Sequence, residues 1–140
     1  MNTKIVCAVI KRKRTKKVYE FLLVKTKKDF GKFTGFLQPV GGHVEDLENY
    51  AEALTREVFE ELGVGGKAGK MITTTDLDTS KSTGYWLHFE LKDTDLKPNK
   101  SEISEHKWLT IDEMSKTEKI WPATKNFFTQ YLREHEEHLE

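Results

Sequence analysis

Three glutamates near the end of one predicted helix have the spacing of a metal site. Glu57, Glu60 and Glu61 stand at positions i, i+3 and i+4, so their carboxylates share one arc of a helix and their oxygens can share one cation. Like charges at this spacing repel, and the C-terminal end of a helix is unfavourable for anions. We therefore expect a bound cation. A ligand set of oxygens favours Mg²⁺, or Mn²⁺ in its place, over zinc.

A glutamate-rich helix is more often a solvated surface than a binding site, so this alternative needs a test. The segment from Gly42 to Val64 fits Gly-x5-Glu-x7-Arg-Glu-U-x-Glu-Glu-x-Gly-U, where U is aliphatic. This pattern resembles the Nudix box of the Nudix (MutT-like) hydrolases at every fixed position. Because each fixed residue has a usage of about 7%, a chance match is very rare, and we set the solvated-surface alternative aside.

The resemblance implies an enzyme that hydrolyses nucleoside diphosphates linked to another group, through attack by metal-activated water. It implies that Glu57, Glu60 and Glu61 hold the divalent metal and that the carbonyl group of Gly42 is a further ligand. The general base stays open between Glu57 or Glu60 in the box and Glu102 or Glu105 in a later segment, which resembles the family's glutamate before a tryptophan.

Glu48 and Arg56 form a brace for the loop and helix in the same resemblance. Their spacing points the same way, because Glu48, Glu52 and Arg56 stand at i, i+4 and i+8, where Glu–Arg pairs stabilise a helix. Arg56 is therefore predicted to hold the box together rather than to bind substrate.

The segment before the box, residues 26–40, is a glycine-punctuated loop with three phenylalanines, Phe30, Phe33 and Phe36. In Nudix proteins the equivalent segment helps to wall the substrate site, so a base could stack on Phe36 or its neighbours. Packing of these rings within the protein is the alternative. Gly41 and Gly42 let the backbone approach a ligand closely, and His43 is either a phosphate neighbour or an ordinary loop histidine.

The substrate class is predicted from the absence of a sequence marker for another substrate. ADP-ribose enzymes of the family tend to carry a proline about sixteen residues after the box, and no proline stands between Val64 and Pro98. We therefore predict a nucleoside triphosphate pyrophosphohydrolase that releases a monophosphate and pyrophosphate. The alternatives are an ADP-ribose or other nucleotide-sugar pyrophosphatase, and a non-catalytic module that binds nucleotide or RNA. The basic run KRKRTKK at residues 11–17 suggests nucleic acid, but such a loop is usually only solvated, and we expect no nucleic-acid partner.

These residues need a scaffold, and the order of predicted elements supplies one. Residues 3–10 and 18–25 are apolar runs that predict a hairpin of two strands. The box helix is predicted from Glu48 to Gly63 with its core face along one stripe: Leu47, Ala51, Leu54, Val58 and Leu62.

Two more strands, at 69–79 and 83–91, follow the box helix, and a third strand then leads into a helix that Thr110 and Glu113 open as a capping box. Pro122 is predicted to begin a last helix. This order resembles the whole Nudix fold over about residues 3–133, an α/β (α+β) fold in which a mixed β-sheet lies between helices as an α/β/α sandwich.

Length and composition are typical of one domain. We expect 140 residues to form a single Nudix hydrolase domain over residues 1–138, with 139–140 a cloning scar. The single Cys7 excludes an internal disulfide, and no apolar run is long enough to cross a membrane, so we expect a cytoplasmic protein. The oligomeric state stays open between monomer and homodimer. Eleven Lys or Arg residues stand in 1–32 and seven acids in 43–62, a division that suits a polyphosphate substrate.

Overall fold

The computed structural model describes residues 2–79, 81–135 and 139. Seven strands are present among these residues: β1 Thr3–Val9, β2 Lys11–Lys13, β3 Tyr19–Thr26, β4 Gly41–His43, β5 Gly66–Asp76, β6 Ser82–Leu91 and β7 Ile103–Leu109. The helices are α1 Tyr50–Leu62, α2 Ile111–Lys116 and α3 Pro122–Asn126. A 3₁₀ turn spans Gly31–Phe33, and α3 continues directly into a π-helical turn at Phe127–Leu132.

The strands form two sheets. The larger sheet has the order β4-β1-β6-β5 and is mixed, because β1 runs parallel to β6 and antiparallel to β4. The smaller sheet, β2-β3-β7, is antiparallel. Two apolar cores cover opposite faces of the larger sheet, since Val6 and Ala8 of β1 pack with α1 while Cys7 and Val9 pack with the C-terminal helical segment. The predicted fold, a mixed sheet between helices, is confirmed.

The predicted hairpin of residues 3–10 with 18–25 is right only at Ile10, whose carbonyl accepts a hydrogen bond from the Leu22 N–H at 3.0 Å, and is wrong for β1. Strands β1 and β3 belong to different sheets, and the hairpin partner of β3 is the short strand β2, which lies in the basic run. The physical reason is burial: Val6 to Val9 are all buried, so β1 is a central strand covered on both faces and flanked by β4 and β6.

Helix α1 begins two residues later than predicted because its N-terminus is set by a capping box. The Asn49 side chain accepts a hydrogen bond from the Glu52 N–H at 2.8 Å, and the Glu52 carboxylate accepts one from the Asn49 N–H at 3.0 Å. The helix ends as predicted at Gly63, which has a left-handed φ of 69°.

The predicted core stripe of α1 is only partly right. Leu54, Val58 and Leu62 are fully buried, whereas Leu47 and Ala51 are exposed. Leu47 precedes the helix, in a turn where its φ is 68°, so helical periodicity does not apply to it. Ala53, which the predicted stripe did not include, is the fourth buried apolar side chain of α1.

The later elements follow the prediction closely. Thr110 and Glu113 form the capping box of α2, and Pro122 is the first residue of α3. Cys7 is buried, and burial raises the pKa of its thiol to about 12. None of the helices in the described part of the chain has the length and apolar character needed to span a bilayer. Leu139, which we expected to be a cloning scar, accepts a hydrogen bond from Lys11 through its carbonyl, whereas Glu140 lies outside the described residues.

Candidate active site

Glu61 is on the buried face of α1. It stands seven residues after Leu54, which returns it to the side of the helix that faces the sheet, and only 6% of its surface is exposed. One carboxylate oxygen, Oε2, accepts a hydrogen bond from the backbone N–H of Gly41 at 3.2 Å. Gly41, the first residue of β4, is therefore a direct partner of the buried glutamate.

Glu57 lies beside Glu61, against the second glycine. A Cβ atom built on Gly42 would stand 2.5 Å from Oε1 of Glu57, so only glycine leaves room for this carboxylate. The side chain of Glu57 is 16% exposed and lies close enough to Glu61 to raise the pKa of that carboxyl group. The two glycines and the two glutamates thus form one compact unit.

The electrostatics of this unit are unfavourable without a cation. Burial, and after it the proximity of Glu57 and the charge of Glu102, together raise the pKa of the Glu61 carboxyl to about 9. Within the described residues no Lys or Arg side chain pairs with Glu61. The raised pKa means that the protonated form of Glu61 is favoured near neutral pH.

The residues present fit an oxygen-liganded divalent cation that also binds substrate. In residues 2–79, 81–135 and 139, no group of three Asp, Glu, His or Cys side chains comes together as a complete metal cage. Mg²⁺ rarely uses such a cage, since it commonly binds one or two carboxylates and takes its other ligands from water and substrate phosphates. Glu57 and Glu61 would supply those carboxylates.

Glu60 is placed apart from this pair. Its side chain is 51% exposed, and its carboxylate accepts a hydrogen bond from Arg56 at 3.3 Å. The structure therefore brings together two of the three predicted metal ligands and leaves the third on the solvent side of α1.

Arg56 joins the turn to the helix. It donates to both carboxylate oxygens of Glu48, at 2.7 and 3.0 Å, and to Oε1 of Glu57 at 2.9 Å. It also donates to the backbone carbonyl of His43 at 3.0 Å. Arg56 holds the pKa of Glu48 below its usual range. The contact through the His43 backbone was not predicted, and the His43 side chain itself is exposed.

Glu102 and Glu105 occupy different environments. Glu102 lies just before β7, close enough to Glu61 for its charge to affect that carboxyl group. Glu105 is within β7, opposite Lys25 of β3, and forms an ion pair with it at 3.1 Å. Lys25 lowers the pKa of Glu105. Of the two, Glu102 is the one whose charge acts on the Glu61 carboxyl group.

The loop that carries Glu102 is anchored to the end of α1. The N–H groups of Lys97 and Asn99 donate to the carbonyls of Leu62 and Glu61, at 2.8 and 2.9 Å. The N–H of Glu102 in turn donates to the carbonyl of Asn99 at 3.0 Å. These bonds fix the loop relative to the helix that carries Glu57 and Glu61.

The three loop phenylalanines gather around Trp121, a residue that we did not predict. Phe33 stacks on the indole with ring centroids 4.5 Å apart, Phe30 meets it edge-on at 5.2 Å, and Phe36 packs edge-on against Phe33. The backbone N–H of Trp121 donates to the carbonyl of Leu37 at 3.1 Å. An aromatic residue directly before Pro122 was the only signal in the sequence.

The basic run is engaged within the protein. Arg12 and Arg14 both donate to the buried Glu20, and Arg14 also forms an ion pair with Glu113 at 2.7 Å. The Arg12 guanidinium lies 4.0 Å from the centre of the Trp108 ring. These contacts tie the smaller sheet to α2 and leave the two arginines less available to a nucleic acid.

Comparison with known proteins gives a consistent family. The family model described as NUDIX domain matches residues 1–131. Many solved structures share the fold, and for the three described below, at 24% identity or less, the likeness extends to the fold alone. The MutT protein from Methanosarcina mazei Go1 is 24% identical, has a TM-score of 0.76, and the match covers 95% of this chain and 94% of that chain.

Two further structures extend the comparison. For the MutT NUDIX hydrolase from Burkholderia pseudomallei the identity is 19%, the TM-score 0.72 and the coverage 93% and 98%. For the NUDIX domain of Shewanella oneidensis NrtR, complexed with ADP ribose, the identity is 14%, the TM-score 0.70 and the coverage 100% and 90%. A search of curated proteins finds no match to this chain.

The family match includes the whole box, from Gly42 to Val64, and both sheets. Nudix hydrolases generally use divalent metal ions, in agreement with the neighbouring carboxylates of Glu57 and Glu61 on α1. The chain belongs to the Nudix family and is a hydrolase of phosphoanhydride bonds.

Proposed function

We propose that this chain is a Mg²⁺-dependent pyrophosphohydrolase that converts nucleoside triphosphates, ribo or deoxyribo, to a monophosphate and pyrophosphate. The observation that carries the proposal is the pair Glu57 and Glu61. Glu61 is buried and accepts a hydrogen bond from the Gly41 N–H, and burial and the neighbouring Glu57 raise the pKa of its carboxyl group. Such a pair is unfavourable alone and is suited to a cation that also grips phosphate oxygens.

The metal ligands would be the carboxylates of Glu57 and Glu61 and the backbone carbonyl of Gly42. Mn²⁺ suits the same oxygen donors. Glu60 would join them only after leaving Arg56, to which it is now hydrogen-bonded. When bound, the cation neutralises phosphate oxygens and makes water a stronger nucleophile.

Other residues of the chain would position the two carboxylates and accept the proton from water. Arg56 holds Glu57 and the turn at His43 in place, and Gly41 orients the Glu61 carboxylate. Glu102 is the proposed general base, because it lies near Glu61 on a separate, anchored loop and Glu105 is already paired with Lys25. Neighbouring carboxylates titrate as a coupled set, so a measured pKa belongs to the set rather than to one residue.

A triphosphate is favoured over other substrates by charge. Three exposed lysines, Lys27, Lys28 and Lys32, stand on the loop that starts beside Glu102, since the N–H of Lys27 donates to the Glu102 carbonyl at 2.9 Å. They would attract the most highly charged nucleotides. The absence of a proline between Val64 and Pro98 argues against ADP-ribose.

ADP-ribose is the second candidate because the similar NrtR domain is complexed with it. A nucleotide-sugar pyrophosphatase would use the same carboxylates on a diphosphate bridge. We further propose that residues 1–138 act as one domain in the cytoplasm, with which the single buried Cys7 is consistent.

The test is a nucleotide screen with Mg²⁺. Ribo- and deoxyribonucleoside triphosphates, ADP-ribose and a nucleotide sugar are assayed for release of the nucleoside monophosphate, with pyrophosphate as the second product of the triphosphates and a sugar phosphate as that of the other two. We expect the triphosphates to give the highest kcat/KM, and Glu61→Gln to lower their turnover by about 10²-fold or more, as loss of an electrostatic catalytic group does. Faster cleavage of ADP-ribose contradicts the substrate assignment, and near-full turnover by Glu61→Gln contradicts the assignment of the site.

A further inference from the structure

Helix α1 exposes one large aromatic side chain, Phe59, to solvent. It is 61% exposed, and in the described part of the chain no other large apolar side chain within a helix or strand is exposed. Phe59 is two residues from both Glu57 and Glu61, a rotation of about 200° around the helix axis, so it lies on the flank of α1 away from these carboxylates. A single exposed ring is common on protein surfaces, so its surroundings decide whether it has a role.

An open groove lies beside Phe59, between α1 and the start of β5, with a volume of about 620 Å³. Small residues provide most of its apolar lining: Ala51, Thr55, Gly65 and Ala68. A large ring and a groove lined by small residues therefore lie side by side on one surface. A surface that carries both features can pack against a copy of itself, because a twofold axis brings the ring of each copy to the groove of the other.

The spacing along α1 supports this packing. Ala51, Thr55 and Phe59 stand at i, i+4 and i+8, so they form one line along the helix, with the smallest side chain at one end and the largest at the other. Thr55 is midway. If a second α1 packs antiparallel against this line, with the twofold axis at Thr55, each Phe59 meets the Ala51 of the other copy.

Strand β5 runs back along α1 from the C-terminal end of the helix. It begins at Gly66, four residues after the helix ends at Leu62. At the other end of the helix, Tyr50 stacks on Tyr85 with ring centroids 4.4 Å apart, and the strand partner of Tyr85 is Thr74, near the end of β5. The first residues of β5 therefore lie at the end of the groove where Phe59 stands.

Two exposed charges beside the groove fit the same twofold axis. Lys67, at the start of β5, lies at the Phe59 end of the groove, and Glu52 lies at the Ala51 end. Within residues 2–79, 81–135 and 139, neither side chain forms an ion pair. The antiparallel arrangement brings Lys67 of each copy to Glu52 of the other. Opposite charges then meet at both ends of the interface, which favours this alignment.

We propose that this chain forms a homodimer about a twofold axis at Thr55, in which Phe59 of each copy packs into the groove of the other. A second copy is favoured over another partner because the ring, the groove and both charges lie on one surface and complement one another. The inference goes beyond the proposed function and does not rest on it. Glu57 and Glu61 lie on the other flank of α1, so both active sites stay open in the dimer.

Sedimentation velocity over a wide range of protein concentration tests the association. We expect the wild type to sediment as a dimer. Phe59→Ser should raise the dissociation constant at least about a hundredfold, because one substitution removes both aromatic anchors of a twofold interface. Val18→Ser, which removes an exposed apolar side chain directly before β3, is the matched control and should keep the wild-type constant. Circular dichroism checks that Phe59→Ser is folded.

Charge reversal tests the alignment of the two copies. Lys67→Glu places like charges together at both ends of the interface and should raise the dissociation constant at least about tenfold. Adding Glu52→Lys restores opposite charges and should bring the constant back to within about threefold of the wild type. Glu52 also belongs to the capping box of α1, so this second substitution weakens the helix itself. A recovery of association in the double variant therefore comes from the charges.

The outcomes decide the inference without any measurement of nucleotide turnover. A wild type that is monomeric at every concentration overturns it, and so does a dimer that Phe59→Ser leaves intact, because its interface must lie elsewhere. Failure of the double variant to recover association contradicts the twofold alignment. The proposed function stands or falls separately, on the nucleotide screen.

Discussion

The Glu61 carboxylate and the Gly41 N–H meet at 3.2 Å across twenty residues of sequence. This bond joins the buried face of the box helix to the first residue of β4, and Gly42 beside it leaves room for Glu57. Strand β4 and helix α1 therefore act as one unit, in which the backbone of Gly41 and Gly42 orients the two carboxylates. The consequences of this arrangement can be tested at each part of the unit.

Exchange of the two later glutamates for glutamine separates their roles. Glu102→Gln is expected to lower kcat by about 10²-fold or more, within the range for loss of a general base, because Glu102 lies near Glu61. Glu105→Gln removes an ion pair with Lys25 on partly exposed side chains and is expected to change kcat less than about threefold. The measurement is kcat against pH for each variant. Equal losses would show that proximity to Glu61 does not identify the base.

Adding a methyl group at Gly42 tests whether the space that glycine leaves for the Glu57 carboxylate is needed. In Gly42→Ala the new Cβ would lie 2.5 Å from Glu57 Oε1, the end of a flexible side chain, so the protein should fold with a displaced carboxylate. We expect about 10²-fold lower turnover, since small displacements in active sites cost this much. Gly65→Ala is the control because its Cβ meets nothing within 4 Å. Wild-type turnover in Gly42→Ala would exclude Glu57 as a precisely placed ligand.

Arg56 is predicted to matter for stability through its geometry. Arg56→Lys keeps the charge but cannot donate to both oxygens of Glu48 and to the His43 carbonyl together. We expect a loss of about 1.5–3 kcal/mol in the free energy of unfolding, measured with urea. Arg133→Lys, whose pair with Asp112 is exposed, should change it by at most about 1 kcal/mol. The brace would be refuted by equal effects of the two variants.

The box motif correctly predicted where α1 ends, but it did not predict which side of the helix each glutamate occupies. Gly63 ends the helix as expected, and Glu57 and Glu61 meet. Glu60 accepts a hydrogen bond from Arg56 and does not join Glu57 and Glu61. Its spacing in the sequence is compatible with either arrangement. The start of α1 was misplaced because the apolar pattern continued to Leu47, whereas the Asn49 capping box determines where helical hydrogen bonding begins.

Long-range pairings were the least predictable part of the fold. A continuous apolar run such as residues 5–10 is typical of a central strand covered on both faces, and this favours parallel neighbours over a hairpin. In the structure β1 pairs with β6, nearly eighty residues away. The contact of Trp121 with Phe33 is of the same kind, since it depends on how the Leu37 segment pairs with residue 120.

The buried pair gives the metal-free protein a distinct pH dependence. Burial and Glu57 raise the pKa of Glu61 from 4.5 to about 9, so between these values the folded state binds more protons than the unfolded state. Stability from this group is therefore complete below pH 4.5 and is lost as the pH rises toward 9, with a slope of at most about 1.4 kcal/mol per pH unit. Urea unfolding at pH 6–9 should show this slope in the wild type and a flatter one in Glu61→Gln. A slope unchanged by the substitution would contradict the assignment.

Direct binding of a divalent cation tests the central claim. Metal-free protein is titrated with Mn²⁺, and the free ion is followed by its EPR signal, for the wild type, Glu61→Gln and the control Glu105→Gln. We predict saturable binding to the wild type and to Glu105→Gln, and at least about tenfold weaker binding to Glu61→Gln. Equal affinity of Glu61→Gln and the wild type would contradict the claim that the buried glutamates of α1 hold the catalytic metal.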